Sequence, residues 1–198
     1  MLGLVAPTLV AAVLALAMSP QERARPHSSV QWWPAAVGAF LCELVLFNPP
    51  IDSQTWAVHV GPWLWLATRL VLLAVVLRNV RLGSRVAVPC LVAALGLSLN
   101  TLVIAANDGY MPQSVEAATL VWGADTVANR QQDARLHNTA PIAADTRLPW
   151  LADVIAQPDW LPRRNVISVG DILLSLGLAG WTFQQLAGAR RQPAENAI

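Results

Sequence analysis

Long apolar runs, separated by short polar connections, dominate the hydrophobic pattern of this chain. Five of them suit membrane-spanning helices, because a segment in lipid must satisfy its backbone hydrogen bonds internally. These runs cover about 2–18, 34–48, 62–78, 86–106 and 168–188. The fourth is the clearest, since no formally charged residue lies between Val86 and Ala106. The pattern predicts an all-α, polytopic bundle of about five transmembrane helices that forms one membrane domain over 1–198.

A long polar segment, 107–167, separates the fourth run from the fifth. Within it, the stretch SVEAATLVWGADTVANRQQDARLH begins with Ser114, which suits a helix N-cap, and has Glu116 in the first turn. A carboxylate is favourable there because the helix dipole is positive at that end. We therefore expect a helix that lies at the membrane interface.

Composition supports a membrane protein. Of the 198 residues, 55% are hydrophobic and 13% are charged, whereas about a quarter of a soluble domain is charged. The nine tryptophans agree with this, because Trp gathers where hydrocarbon meets water. The net charge of +1 provides no field that would attract nucleic acid. The lipid bilayer is therefore the expected partner.

The arginines predict the orientation, because short loops rich in basic residues stay in the cytoplasm. The short segments on one side of the five spans hold Arg23, Arg25, Arg78, Arg81, Arg85, Arg190 and Arg191. We therefore expect a bacterial inner-membrane protein with its amino terminus and segment 107–167 outside and its carboxy terminus in the cytoplasm. The first run is interpreted as a retained span, because Arg23 and Arg25 follow it, whereas a signal peptide carries its positive charge first.

Acidic residues concentrate on the predicted outer side. Eight of the twelve lie between Asn107 and Asp171. They are Asp108, Glu116, Asp125, Asp133, Asp145, Asp153, Asp159 and Asp171. Most are expected on a solvated surface, but Asp153 and Asp171 stand among apolar residues. This pair is the first candidate for chemistry.

Asp171 has two alternative interpretations. Ser168 suits the N-cap of the fifth helix, so that Asp171 at the third position would stabilise the helix start by about 1 kcal/mol. Alternatively, Pro158 and Pro162 turn the chain so that Asp153 and Asp171 meet at the membrane surface. Two close carboxyl groups cannot both ionise easily, so one keeps a proton while the other activates water. That arrangement hydrolyses amides.

The stretch LADVIAQPDWLPRRNVISVGDILLSLG resembles the carboxy-terminal half of signal peptidase II, the membrane aspartyl protease that trims lipoprotein precursors. The resemblance implies that Asp153 and Asp171 are the catalytic aspartates. The triplet Asn107-Asp108-Gly109 is similar to an Asn-x-Gly element that helps to line that family's site. The segments NDGYMP, RLH, LPWLADVI and VISVGDILLSLG together resemble an uncharacterised family of bacterial membrane proteins of about this length. That second resemblance covers nearly the whole chain and implies a fold without an established activity.

Other positions depart from the signal peptidase II pattern. Ile167 and Ser168 stand where that family has Phe-Asn, and Asp145 and Arg147 match its Gly-Asn-x-x-Asp-Arg element only at altered spacing. Despite these departures, Arg147 and Ser168 stand near the corresponding positions and are supporting candidates, together with Asn107 and Gly109. His137, in ARLHN, is another, because it could hydrogen-bond a substrate or a catalytic carboxylate. A position on the surface is the alternative for His137.

Two charges fall inside apolar runs. Glu43 in the second predicted span and Arg69 in the third would lie at similar depth, where they could form an ion pair. A pair that locks two helices together is preferred over a functional role. Cys42 and Cys90 have no spacing that suits a metal or a disulfide, and no Gly-rich phosphate loop is present. No cofactor or metal is expected.

Two functions from different classes remain. The first is a membrane hydrolase in which Asp153 and Asp171 share a proton and act on a membrane-anchored peptide or a lipid-linked amide. The second is a noncatalytic structural or accessory subunit of a larger membrane complex, in which Asp171 only stabilises a helix start. Transport is less expected, because the spans show no repeated halves.

Overall fold

The computed structural model describes residues 31–80 and 87–188. The described chain contains six α-helices. They are α1 (Trp33–Leu46), α2 (Thr55–Arg78), α3 (Ala87–Ala106), α4 (Val115–Trp122), α5 (Ala124–Gln132) and α6 (Val169–Gly188). Short strands lie between α3 and α6: β1 (Met111–Gln113), β2 (Thr139–Pro141), β3 (Ile155–Ala156) and β4 (Val166–Ile167). The fold is mostly helical, and the all-α prediction missed the strands.

Two of these helices, α2 and α3, are long and apolar enough to cross a membrane. α1 is apolar but has only 14 residues, and α6 is not among the candidates by length and composition. The span predicted at 2–18 lies outside the described residues. The described residues therefore contain two candidate membrane-spanning helices, and the five predicted spans are not shown.

Helix α2 begins at Thr55, before the start at about 62 predicted for the third span, and carries Pro62 in its interior. Proline removes one backbone hydrogen bond from a helix, and here it packs against the turn after α3. Gly109 in that turn has a φ of 85°. A Cβ at Gly109 would lie 2.6 Å from Cβ of Pro62, so the close approach requires glycine. This contact fixes the end of α3 against α2.

Helices α3 and α6 approach each other closely because small residues line their crossing. A Cβ on Gly96 would lie 2.5 Å from the carbonyl oxygen of Gly170. Farther along, Gly177 packs on Ala93. Small residues at such crossings let membrane helices bring their backbones together. The crossing places Asn100 of α3 beside the start of α6.

The segment between α3 and α6 folds around two small sheets. Strand β1 pairs in parallel with β2, and β3 pairs antiparallel with β4. A bridge between Gln113 and Asp153 continues the pairing of β1 on its other side. As a result, Asp153 is attached to the chain that leaves α3.

The single interfacial helix predicted after Ser114 is divided into α4 and α5. Ser114 does cap α4, because its Oγ accepts a hydrogen bond from the backbone nitrogen of Ala117 at 3.1 Å. Gly123 then ends α4 with a φ of 84°, a conformation that a right-handed helix cannot continue through.

One core connects the helices to this segment. Its buried members are Leu46, Ala57, Trp65, Val103, Ile104, Met111, Leu136 and Leu151. They come from α1, α2, α3, β1, the loop after α5 and the short 3-10 helix Pro149–Leu151. Because the core spans all these elements, the polar segment is held firmly against the end of the helical bundle.

Candidate functional site

Asp171 lies in the first turn of α6, where it forms a reciprocal cap with Ser168. The backbone nitrogen of Ser168 donates to Oδ2 of Asp171 at 3.1 Å, and the backbone nitrogen of Asp171 donates to Oγ of Ser168 at 3.0 Å. This is the capping-box pattern, in which two otherwise unpaired N–H groups are satisfied. Asp171 therefore has a structural role whatever else it does.

Asn100 completes the hydrogen bonding of this cap from α3. Its Nδ2 donates to Oδ1 of Asp171 at 2.7 Å, and its Oδ1 accepts from Oγ of Ser168 at 3.0 Å. Sequence reasoning missed Asn100. The available signal was an amide side chain within an otherwise apolar helix, because a polar group in such a place needs a partner.

The backbone of Asp153 is fixed on both sides by the chain around β1. Its nitrogen donates to the carbonyl oxygen of Pro112 at 2.9 Å, and its carbonyl oxygen accepts from the nitrogen of Ser114 at 2.9 Å. Both bonds belong to the bridge beside Gln113. The side chain of Asp153 therefore starts from a rigid position.

The side chain of Asp153 is poorly solvated. Only 8% of the residue is exposed, and its Oδ1 has no hydrogen-bond partner among the described residues. Burial raises the pKa of the Asp153 carboxyl well above its usual range, the negative charge of Asp171 raises it further, and a hydrogen bond from Gln113 opposes them. The protonated form of Asp153 is therefore favoured.

Asp153 and Asp171 line the same cavity, which has a volume of about 80 Å³. We call it the aspartate cavity. Polar side chains from α2, from α3 and from the loops before β2 and β4 also line it, namely Arg69, Asn100, Asn138 and Asn165. Since one water needs about 10–15 Å³ of such volume, there is room for water and for a small polar group beside the two acids.

Arg69 reaches the aspartate cavity from α2 and forms an ion pair with Glu43 of α1. Glu43 is 1% exposed and also accepts a hydrogen bond from Oγ1 of Thr68 at 2.8 Å. The Arg69 guanidinium lies over the Trp65 ring, 5.6 Å from its centroid. The predicted structural ion pair thus lies at the edge of the candidate site.

Asn107 and Arg147 lie together, away from the two aspartates. Nδ2 of Asn107 donates to the carbonyl oxygen of Arg147, and the nitrogen of Arg147 donates to Oδ1 of Asn107, each at 2.9 Å. Neither residue is among those that line the aspartate cavity, and Gly109 is in the turn against Pro62. In this structure all three hold loops and lie outside the lining of the aspartate cavity.

His137 belongs to a different, second cavity of about 60 Å³ that Gln113, Ser114 and Arg130 also line. Its Nε2 lies 3.7 Å from Oδ2 of Asp133. Burial and the charge of Arg130 lower the pKa of His137, and the charge of Asp133 opposes them. A neutral imidazole is favoured, and it is not placed against either candidate aspartate.

The chemistry available in the aspartate cavity is acid–base chemistry. Asp153 favours the protonated form, while Asp171 accepts hydrogen bonds on both oxygens, as an ionised carboxylate does. Within 31–80 and 87–188, no group of three or more His, Cys, Asp or Glu residues could hold a metal ion. A proton donor and a proton acceptor that line one small cavity are the groups that general acid–base catalysis requires.

Comparisons with known proteins identify a family. The sequence profile of a family of unknown function (DUF5317) matches residues 27–183, so the chain belongs to that family. No curated protein and no solved structure matches the chain. The family confirms the expectation of an uncharacterised family and assigns no activity.

Proposed function

We propose that this member of the family is a membrane-embedded hydrolase in which Asp153 and Asp171 activate water against a peptide or lipid-linked amide. The observation that carries the proposal is that both carboxyl groups line one cavity although a β-hairpin separates them in the chain. The buried Oδ1 of Asp153, which has no partner in the described ranges 31–80 and 87–188, supports it, because a buried polar atom usually has a partner. The resemblance to signal peptidase II points to the same pair.

The two carboxyl groups have different environments, which suits different roles. Burial and the neighbouring charge raise the pKa of Asp153, so it holds the proton and acts as the general acid. Asp171 is held as a hydrogen-bond acceptor by Asn100 and Ser168 and acts as the general base. When two neighbouring carboxyl groups differ in their tendency to hold a proton, one can act as the acid and the other as the base.

The reaction then balances without a cofactor. Water adds to the carbonyl carbon of the amide as Asp171 takes one of its protons, and Asp153 donates a proton to the carbonyl oxygen. When the tetrahedral intermediate collapses, the carbon–nitrogen bond breaks and Asp171 returns its proton to the leaving nitrogen. A hydroxyl proton of the intermediate goes back to Asp153. The products are a carboxylic acid and an amine.

The proposal includes a membrane placement. α2 and α3 cross the inner membrane of a bacterial cell, and α1, α6 and the run at 2–18 complete five spans. The distribution of arginine supports an orientation with the amino terminus and 107–167 outside and the carboxy terminus in the cytoplasm. The aspartate cavity would then open at the outer membrane surface, where a membrane-anchored substrate can reach it.

The decisive experiment measures amide hydrolysis by the full chain in lipid nanodiscs. The probes are a membrane-anchored fluorogenic peptide and a long-chain N-acyl aminocoumarin, which releases a fluorescent amine. Asp153→Asn and Asp171→Asn should each reduce turnover by about 10²–10⁴-fold, the usual size of a general acid–base contribution. Asp145→Asn is the matched control, because Asp145 is exposed on the same segment, and it should retain activity.

The fold of each variant is checked by its melting temperature and helical circular dichroism. This matters most for Asp171→Asn, because the Asn side chain weakens the cap at Ser168. Turnover that persists in both variants would exclude the pair as the catalytic groups. An absence of hydrolysis of both probes by the natural chain would favour the second function.

That second function is a noncatalytic accessory subunit of a larger membrane complex. Two exposed tryptophans between α3 and α6 favour it, because Trp150 is 67% and Trp160 is 79% exposed, and exposed aromatic residues are enriched at interfaces. The cap at Ser168 would then be the whole role of Asp171. Purification in mild detergent distinguishes the two functions: a stoichiometric partner lost from a Trp150→Ser, Trp160→Ser variant supports the subunit, and a stable monomer opposes it.

A further inference from the structure

A third, larger cavity adjoins the aspartate cavity at Arg69 and lies between α1, α2, α3 and α6. Its volume is about 260 Å³, and we call it the apolar cavity. Its walls are mainly hydrocarbon, from residues that include Leu72, Val76, Leu97, Leu174, Leu178 and Trp181. An apolar cavity of about 150 Å³ already binds a molecule such as benzene, so this one can accept part of an alkyl chain.

Arg69 forms part of the wall of both cavities. The polar site and the apolar cavity are therefore neighbours along α2. At the far end, the apolar cavity reaches Asn79. Since a helix rises about 1.5 Å per residue, the distance from Arg69 to Asn79 along α2 is about 15 Å. Between Arg69 at one end and Asn79 at the other, the lining is apolar, which suits the hydrocarbon chain of an amphiphile whose head group lies at Arg69.

Charge restricts the polar part of that amphiphile. Glu43 already neutralises Arg69, and Asp171 adds a negative charge to the same cavity while protonated Asp153 adds none. A negatively charged head group would therefore meet net repulsion beside Asp171. A neutral amide avoids this repulsion and can hydrogen-bond to Asn100, Asn138 or Asn165 in the wall.

We infer that the apolar cavity binds the acyl chain of a neutral, lipid-linked amide and thereby presents the amide to Asp153 and Asp171. The inference rests on the proposed function for the reacting group and goes beyond it by choosing the lipid-linked amide over the peptide and by assigning a binding site to its acyl chain. The acyl chain lies along α2 towards Asn79, and the carbonyl group lies at Arg69. Substrates without a long acyl chain lack this binding, so the protein should hydrolyse them more slowly.

The test measures binding separately from turnover, because Trp181 lines the apolar cavity. The probe is dibromostearamide, a neutral primary amide whose bromine atoms quench Trp fluorescence at contact. It is titrated into nanodiscs of unbrominated lipid that hold the full chain with Asp153→Asn. Saturable quenching is expected, and most of it should disappear when Trp181→Phe is added. Dibromostearate, the anionic analogue, should bind at least tenfold more weakly.

A pair of neighbouring substitutions provides the control. Val76→Phe places a larger side chain in the apolar cavity and should weaken binding at least tenfold, whereas Leu77→Phe adds the same bulk on a side chain that is 51% exposed and should not. Quenching that rises linearly with probe and is equal in all variants would show only partition into lipid and would overturn the inference.

The outcomes also separate this inference from the proposed function. Saturable binding with no hydrolysis by the natural chain would support the acyl-chain site and contradict the proposed hydrolase function. Hydrolysis of short-chain amides with no saturable binding of dibromostearamide would support the hydrolase function and contradict the acyl-chain site.

Discussion

Asn100 donates a hydrogen bond of 2.7 Å to Oδ1 of Asp171, and so connects the interior of α3 to the first turn of α6. The other end of the same amide accepts from Ser168 at 3.0 Å. Because the amide is both donor and acceptor, neither a carboxylate nor an apolar side chain can replace it. This relationship organises the candidate site whether its role is catalytic or structural.

Asn100→Leu should lower the free energy of unfolding by about 2 kcal/mol, because removing one partner leaves buried polar groups unsatisfied. The measurement is reversible unfolding in mixed micelles. Thr101→Val is the control on the same helix, because Thr101 only donates to the carbonyl oxygen of Leu97, and it should cost less than about 1 kcal/mol. Equal losses in the two variants would contradict the assigned role of Asn100.

Glu43→Gln should destabilise the protein by about 3–5 kcal/mol, because it leaves the charge of Arg69 buried without its partner. The double variant Glu43→Gln, Arg69→Met removes both charges and should recover much of that loss. A double-mutant cycle of unfolding free energies measures the coupling. Strictly additive effects would show that the pair does not hold α1 to α2.

The buried carboxyl group of Asp153 should make the free energy of unfolding depend on pH. Because its pKa is raised in the folded protein, its stabilising contribution is complete below the ordinary value of 3.8 and is lost as the pH rises through the raised pKa. Asp153→Asn stays neutral and lacks this loss, so the variant should gain stability relative to the natural chain as the pH increases. Unfolding free energies across the acidic and neutral range measure the difference. Asp145→Asn should follow the natural chain, and parallel curves for Asp153→Asn would refute the prediction.

Gly96→Ala should disturb the crossing of α3 and α6, because its methyl group would meet the backbone at Gly170. Overpacking of this kind costs about 1–3 kcal/mol. Gly38→Ala is the matched control in α1, where a Cβ meets nothing within 4 Å. It should be neutral or stabilise by up to about 1 kcal/mol. Thermal unfolding of both variants in the same detergent decides the question.

The proposed orientation predicts which positions a membrane-impermeant maleimide can label in intact cells. In a background with Cys42→Ala and Cys90→Ala, a cysteine introduced by Asp145→Cys should be labelled from outside. A cysteine introduced by Arg190→Cys should be labelled only after the membrane is opened. The reverse pattern would invert the topology.

Local features of the site could be predicted from sequence, and contacts between distant elements could not. The cap formed by Ser168 and Asp171 depends on four consecutive residues, so the expectation that Ser168 begins α6 agrees with the hydrogen bonds. Asn100 was missed because its role depends on how α3 crosses α6. The sequence allows His137 either a hydrogen bond to a catalytic carboxylate or a position on the surface, and the fold places it in the cavity that Arg130 also lines.

The pattern of apolar residues was informative about the helices and less so about their ends. It predicts helices close to α1, α3 and α6, but it starts α2 too late, because packing on Gly109 lets Pro62 stay inside that helix. It also joins α4 to α5, because the positive φ of Gly123 breaks a stretch with otherwise helical spacing. In both places a backbone conformation overrides the side-chain pattern.

The backbone bonds of Asp153 to Pro112 and Ser114 make it part of the unit that contains the end of α3, whereas Asp171 belongs to α6. The gap between the acids is therefore set by how these two helices slide and tilt against each other. Membrane helices respond to bilayers that are thicker or thinner than their apolar length by tilting. Under the proposed placement, in which α3 and α6 both cross the bilayer, the separation of the two acids would therefore depend on the thickness of the surrounding lipid.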